Sequence, residues 1–165
     1  MPNPYLDSVL NLLLHYKTMA EKAMKQVPEE KLFWQHNQDS NSIATIVKHM
    51  WGNMRSRWTD FLASDGEKEW RERDAEFDND LKDRGEVLEK WEEGWRITFE
   101  ALRPLTASDL EKTVYIRNRK HTVVDAINTQ LAHYASHIGQ IIYLSKMLAE
   151  GPWESLSIPK RKSKT

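Results

Sequence analysis

Apolar residues recur along this chain at helical rather than strand spacing, in four separate stretches. Over residues 4–27, Leu6, Val9, Leu10, Leu13, Ala20, Met24 and Val27 line one face, and Pro28 closes the segment. A second stripe, Ile43, Val47, Met50, Met54, Trp58 and Phe61, follows Ser40 and Ser42, either of which suits a helix N-cap. A third segment over residues 80–103 turns Leu88, Trp91, Trp95 and Leu102 inward and stops at Pro104. The fourth, over residues 122–150, centres its stripe on Leu131, Tyr134, Ile138 and Ile141, and Gly151-Pro152 reads as its stop. The pattern predicts an all-α four-helix bundle.

The connections add two features. Residues 64–79 form a long link containing Asp65-Gly66 and Trp70-Arg71-Glu72-Arg73-Asp74. Structureless links of this length are uncommon in compact domains. This one reads as a crossover that lets helices 2 and 3 run parallel instead of folding back as a hairpin. Residues 113–123 alternate apolar and polar positions about a short polar turn, which predicts a small β-hairpin before helix 4. At 165 residues the chain fits one domain spanning 1–165, with 152–165 as an irregular C-terminal tail.

Charge removes some partners. Twenty-four basic residues against twenty-five acidic ones give a net charge of -1, so no general field draws the chain to nucleic acid or an anionic membrane. The basic cluster Lys160-Arg161-Lys162 with Lys164 reads as a solvated tail. No apolar run approaches membrane-spanning length and the N-terminus lacks the features of a secretion signal, so a cytoplasmic location is expected. The chain has no cysteine, which excludes disulfides, thiolate ligands and a cysteine nucleophile. Any thiol chemistry would need a thiol carried by a small molecule. Of seven tryptophans, Trp51, Trp58, Trp91 and Trp95 fall at or near core positions, whereas Trp34, Trp70 and Trp153 lie in connections.

The candidate chemistry is histidine. His133 and His137 stand four apart on helix 4, one turn apart on one face, close enough to share a metal ion. With Gln130 and Gln140 they lie just beside the apolar stripe, at the margin of the bundle interior, where side chains of facing helices can converge. Tyr134 between them excludes the metalloprotease helix, and the absence of Glu-x-x-His excludes the di-iron carboxylate bundles. A third ligand must come from elsewhere. His15 lies opposite its helix's stripe, and His121 closes the predicted hairpin. Face geometry does not choose between His36, in a polar connection, and His49, off the centre of the helix-2 stripe.

A histidine midway along helix 2, followed by His-x-x-x-His-x-x-Gln on the last helix of a bundle, resembles the DinB-like (YfiT-like) superfamily of metalloenzymes. The likeness extends to an uncharacterised subgroup of it, through Ser42-Ile43, Lys48-His49-Met50-Trp51-Gly52-Asn53-Met54 and Arg57-Trp58-Thr59-Asp60-Phe61-Leu62. It continues in Asp65-Gly66-Glu67, in Trp70-Arg71-Glu72-Arg73-Asp74-Ala75-Glu76-Phe77 and in Trp153-Glu154-Ser155-Leu156-Ser157-Ile158-Pro159, so it covers essentially the whole chain. The resemblance implies that His49 joins His133 and His137 as the ligands of a divalent metal.

Three neutral imidazoles leave a coordination position open, as catalytic rather than structural sites do. Zn²⁺ and Ni²⁺ both suit such a donor set. Asn53, Gln130 and Gln140 are candidates for hydrogen bonding behind the ligands. Superfamily relatives include transferases that use low-molecular-weight thiols such as bacillithiol and mycothiol, and thiol-dependent isomerases. By resemblance, this chain is expected to hold a thiol cosubstrate's sulfur on its metal, so that the thiolate attacks an electrophilic small-molecule substrate and is joined to it. The alternatives are a metal-dependent hydrolase and a non-catalytic metal-binding stress protein. A homodimer is expected from related bundles.

Overall fold

A computed structural model describes residues 3–159, so the basic cluster predicted as a solvated tail lies outside the described residues. Four helices are present: α1 (Pro4–Met24), α2 (Ile43–Trp58), α3 (Arg84–Leu102) and α4 (Val123–Leu148). A two-stranded antiparallel hairpin, β1 (Thr113–Ile116) and β2 (Arg119–Thr122), precedes α4, with Thr113 opposite Thr122 and Ile116 opposite Arg119. The predicted class, an all-α bundle with a small hairpin, is the observed one.

Side-chain pairings give the helix directions. Along α2 and α3 the contacts advance together: Trp51 Nε1 donates to Glu93 and Gly94 packs against Met54, so these two helices are parallel, as the long link requires. Between α1 and α3 they run oppositely, from Lys17 with Glu92 to Arg84 with Val27. α2 and α4 oppose each other: Ile46 faces Gln140 and Tyr143 near one end, and Arg57 faces Gln130 near the other, with His49 beside His133 between them. The core at their centre contains Trp58, Trp91, Trp95 and Tyr134 with Leu13, Met50, Met54, Ile127 and Ile138.

Local chemistry sets the element ends, and several differ from the apolar pattern. α1 stops at Met24, three residues short of Val27, because the residue before Pro28 is disfavoured in helical backbone. Val27 is buried nonetheless by the turn after the helix. Arg84 donates to the Met24 and Val27 carbonyls, supplying partners that the broken helix lacks. α2 is capped by Ser42, whose hydroxyl accepts from Thr45 N at 3.0 Å, and not by Ser40. It ends at Trp58 because Asp60 turns left-handed (φ 49°), and Phe61 returns from that turn to pack edge-on against Trp58. α3 begins later than residue 80, at an Asp83 cap, and buries Val87 while Leu88 is 38% exposed. α4 ends at Leu148 with Ala149 extended, so Gly151-Pro152 lies beyond a helix that has already stopped. Trp51 is half-buried, lying under Lys90 Nζ at 3.6 Å from its ring.

The crossover is ordered by its own polar groups. Asp65 accepts from the backbone N–H of Glu67 (2.7 Å), Arg117 (2.8 Å) and Asn118 (2.8 Å), fastening the link to the hairpin turn. Arg117 and Asn118 both have positive φ (53° and 61°), the two-residue geometry whose twist suits a hairpin. The Ser56 hydroxyl donates to the Gly66 carbonyl and Lys68 Nζ to the Ser56 carbonyl, holding the link against α2. A 3-10 turn at Asp74–Phe77 then packs on α2 beside His49.

Candidate metal centre

Helical spacing puts His49, Gly52 and Asn53 on one face of α2. On α4 the same spacing groups Gln130, His133, His137 and Gln140. Because α2 and α4 run oppositely, the two faces meet. His49 Nε2 lies 3.2 Å from His133 Nε2, which lies 3.0 Å from His137 Nε2. All three ring nitrogens fall within 4.8 Å of one another, a grouping that could hold a metal ion. His49 is buried, whereas His133 and His137 are half-buried. The structure therefore brings the helix-2 histidine to the pair; His36 and His15 are exposed and stand apart from it.

The spacing suits a shared cation. Nitrogens 2.0–2.1 Å from one centre lie about 2.9 Å apart at right angles and about 3.3 Å apart in a tetrahedron. The observed 3.0 and 3.2 Å fall between these.

Hydrogen bonds behind the rings fix two of the lone pairs. His49 Nδ1 is 2.9 Å from Glu76 Oε2, and an ionised carboxylate only accepts, so the proton sits on Nδ1 and the Nε2 lone pair faces inward. His137 Nδ1 likewise donates to Gln140 Oε1 at 2.9 Å, leaving its Nε2 bare. A proton on His133 Nε2 could bridge to only one of them. Burial pushes the His133 imidazole down to about 3, with His137 and His49 adding to the effect, so it stays neutral near pH 7. Burial also lowers His137. His49 and His137 thus both turn a bare Nε2 toward His133, a grouping that a cation could complete. His133 Nδ1 is buried without a partner among the described residues, so the support behind it is less complete than behind the other two.

Glu76 is the residue that sequence reasoning missed. It lies in the crossover's short helical turn, 5% exposed, and joins His49 to Arg71. Arg71 Nε donates to Glu76 Oε1 at 2.7 Å and Nη2 to Oε2 at 2.9 Å, a two-pronged pair with fixed orientation. Burial alone would raise the Glu76 carboxyl; the hydrogen bonds from His49 and Arg71 outweigh it and hold the group below its ordinary value. Phe77 stacks on the His49 ring at 4.8 Å. A signal existed in Gly52, a glycine inside a helix one turn beyond His49. A side chain there would begin 2.1 Å from Glu76 Oε1.

The three predicted supporting amides separate. Gln140 orients His137. Asn53 accepts from the Tyr134 hydroxyl at 3.1 Å, and the Gln130 oxygen is buried with no partner among the described residues. Asn53 and Gln130 line a cavity of about 310 Å³ that opens beside His49 and His133. Trp34, Trp70 and Trp153 do not line it.

Fold and site together define a helical bundle with three converging imidazoles beside a small cavity. The chain belongs to the family described as "Protein of unknown function (DUF1572)", whose model matches residues 1–162. No curated protein matches it. Among the described residues, no helix is long and apolar enough to cross a membrane.

Proposed function

We propose that this chain is a metal-dependent enzyme of the DinB-like superfamily, with a divalent ion, Zn²⁺ or Ni²⁺, held by His49, His133 and His137. The observation that carries this reading is the convergence of the three Nε2 atoms, with the proton of His49 drawn to the opposite nitrogen by Glu76. A bound ion would supply Lewis acidity at a position open to the cavity. Around it, Glu76 and Gln140 orient the imidazoles, and Arg71 keeps Glu76 ionised. Asn53, Gln130 and Thr129 form a polar wall for the incoming molecule.

Conjugation of a small-molecule thiol, through its sulfur, to an electrophilic substrate is the favoured reaction. The chain has no cysteine of its own to act as nucleophile. Hydrolysis is the weaker alternative, because no carboxylate lines the cavity to serve as a general base, and Glu76 is committed to Arg71 and His49.

The test begins with elemental analysis of protein expressed in metal-replete medium, beside a His49→Ala/His133→Ala/His137→Ala variant. The wild type should carry about one ion per chain and the variant almost none; fewer than about one ion per ten wild-type chains overturns the proposal. Conjugation of a thiol to a chromogenic electrophile should then require both the ion and His133. Turnover without thiol would move the assignment to the hydrolase.

A further inference from the structure

Arg57 occupies an unusual position. It is 6% exposed, yet its Nε and Nη1 atoms have no hydrogen-bond partner among the described residues. Glu67 acts on it only through space. The guanidinium fits because residue 66 is glycine; a side chain there would begin 2.6 Å from Arg57 Nη1. A buried cation without a paired acceptor is costly, and proteins keep one where something else completes it.

What it faces is the cavity beside the histidines. Four arginines line that cavity, Arg57, Arg71, Arg73 and Arg117, and no aspartate or glutamate does. Arg71 is spent on Glu76 and Glu67; Arg73 and Arg117 are exposed, with only loose surface pairings to Asp74 and Glu67, and add positive field at the mouth. The hairpin carries Arg117 and Ile116 over one side of the cavity, and Asp65 fixes the hairpin there.

We propose that this cavity is an oxyanion subsite, in which Arg57 receives the carboxylate or phosphate group of the small molecule that approaches the three histidines. Guanidinium donors match such groups in a planar, two-pronged geometry. The volume of about 310 Å³ limits the ligand to a small metabolite-sized acid. Anion binding stands on Arg57 alone; naming that anion as the substrate's handle rests on the metal-enzyme reading above.

The experiment compares metal-loaded wild type with Arg57→Met, which fills similar volume without charge. Thermal midpoints are read in sodium phosphate and in sodium acetate against sodium chloride at equal ionic strength. At ten times the dissociation constant, the favoured anion should raise the wild-type midpoint by about 3–5 °C, and the variant's not at all. Phosphate acting alone assigns a phosphate handle, and acetate acting alone a carboxylate. An Arg73→Ala/Arg117→Ala variant, altered only at exposed positions, should bind the same anion at least about threefold more weakly. The proposal is overturned if wild type shows no shift beyond chloride, or if Arg57→Met keeps the whole shift, since the anion would then sit on the ion or elsewhere. Metal content measured on the same samples separates the two claims. An Arg57-dependent shift in wild type that carries no metal sinks the enzyme reading alone; full metal without the shift sinks the anion subsite alone.

Discussion

Replacing Gly52 with alanine places a methyl carbon where Glu76 now sits. The added carbon would lie 2.1 Å from Oε1, 2.5 Å from Cδ and 3.0 Å from Cγ of Glu76, so the carboxylate must retreat by more than an ångström. Two effects compete. Alanine is favoured over glycine inside a helix by about 1 kcal/mol. Against this, separating the buried Glu76 from Arg71 and His49 costs about 3–5 kcal/mol. The second wins, for a net loss of about 2–4 kcal/mol, or a midpoint lower by roughly 4–16 °C at this chain length. Loss of the carboxylate behind His49 should also weaken metal binding about 10–100-fold. Circular dichroism melts and competition with a chelating indicator read the two effects separately. Gly139→Ala is the control, since nothing lies within 4 Å of a side chain built there on α4. It should gain up to about 1 kcal/mol from helix propensity alone. If Gly52→Ala behaves like the control, more stable and with unchanged metal affinity, then Glu76 does not brace His49 and the reasoning fails.

Glu76→Gln keeps the size of the side chain but removes the charge that Arg71 grips; metal affinity should fall about tenfold with helix content unchanged, and an unaltered affinity would remove Glu76 from the site. Chelation of a loaded sample should lower the midpoint by about 5–10 °C when free ion had stood at a hundred times its dissociation constant, and the His133→Ala protein should not respond. For Asp65, burial raises the carboxyl, but the three backbone N–H bonds together outweigh it and hold the group below its ordinary value. Its folded-state pKa being depressed, its stabilising contribution is complete above the unfolded value and lost as pH falls through the folded one. Asp65→Asn should therefore be less stable than wild type by about 1–2 kcal/mol near pH 7, with the gap closing below about pH 4 in urea titrations. A gap independent of pH would contradict that account.

The sequence made the four helices and the hairpin legible because each depends on local periodicity or local turn chemistry. The ends were less legible, since they are decided by residues beyond the stripe. Val27 and Phe61 continue the apolar pattern but sit in turns, one set by Pro28 and the other by the left-handed Asp60. Leu88 and Val87 are successive residues about 100° apart around α3, and only packing against the neighbours decides that Val87 goes inside. In the site, His133 and His137 were visible as a spacing on one helix. His49 and His36 were not separable by periodicity, because the choice depends on which helix faces α4. Glu76, Arg71 and Arg57 carried no local signal, for their roles exist only once the crossover lies against α2. Gly52 and Gly66 recorded those approaches indirectly, as places where a side chain would collide.

The opposed directions of α2 and α4 have a mechanical consequence. Sliding one past the other by a single turn, about 5.4 Å, would carry His49 away from both of its neighbours while leaving much of the apolar seam able to re-engage. Leucine-like contacts tolerate such slippage; three nitrogens bound to one centre do not. An ion seated there would act as a pin through the bundle, suppressing shear between the two helices, and amide exchange along α2 should slow on loading well beyond the residues that touch the metal.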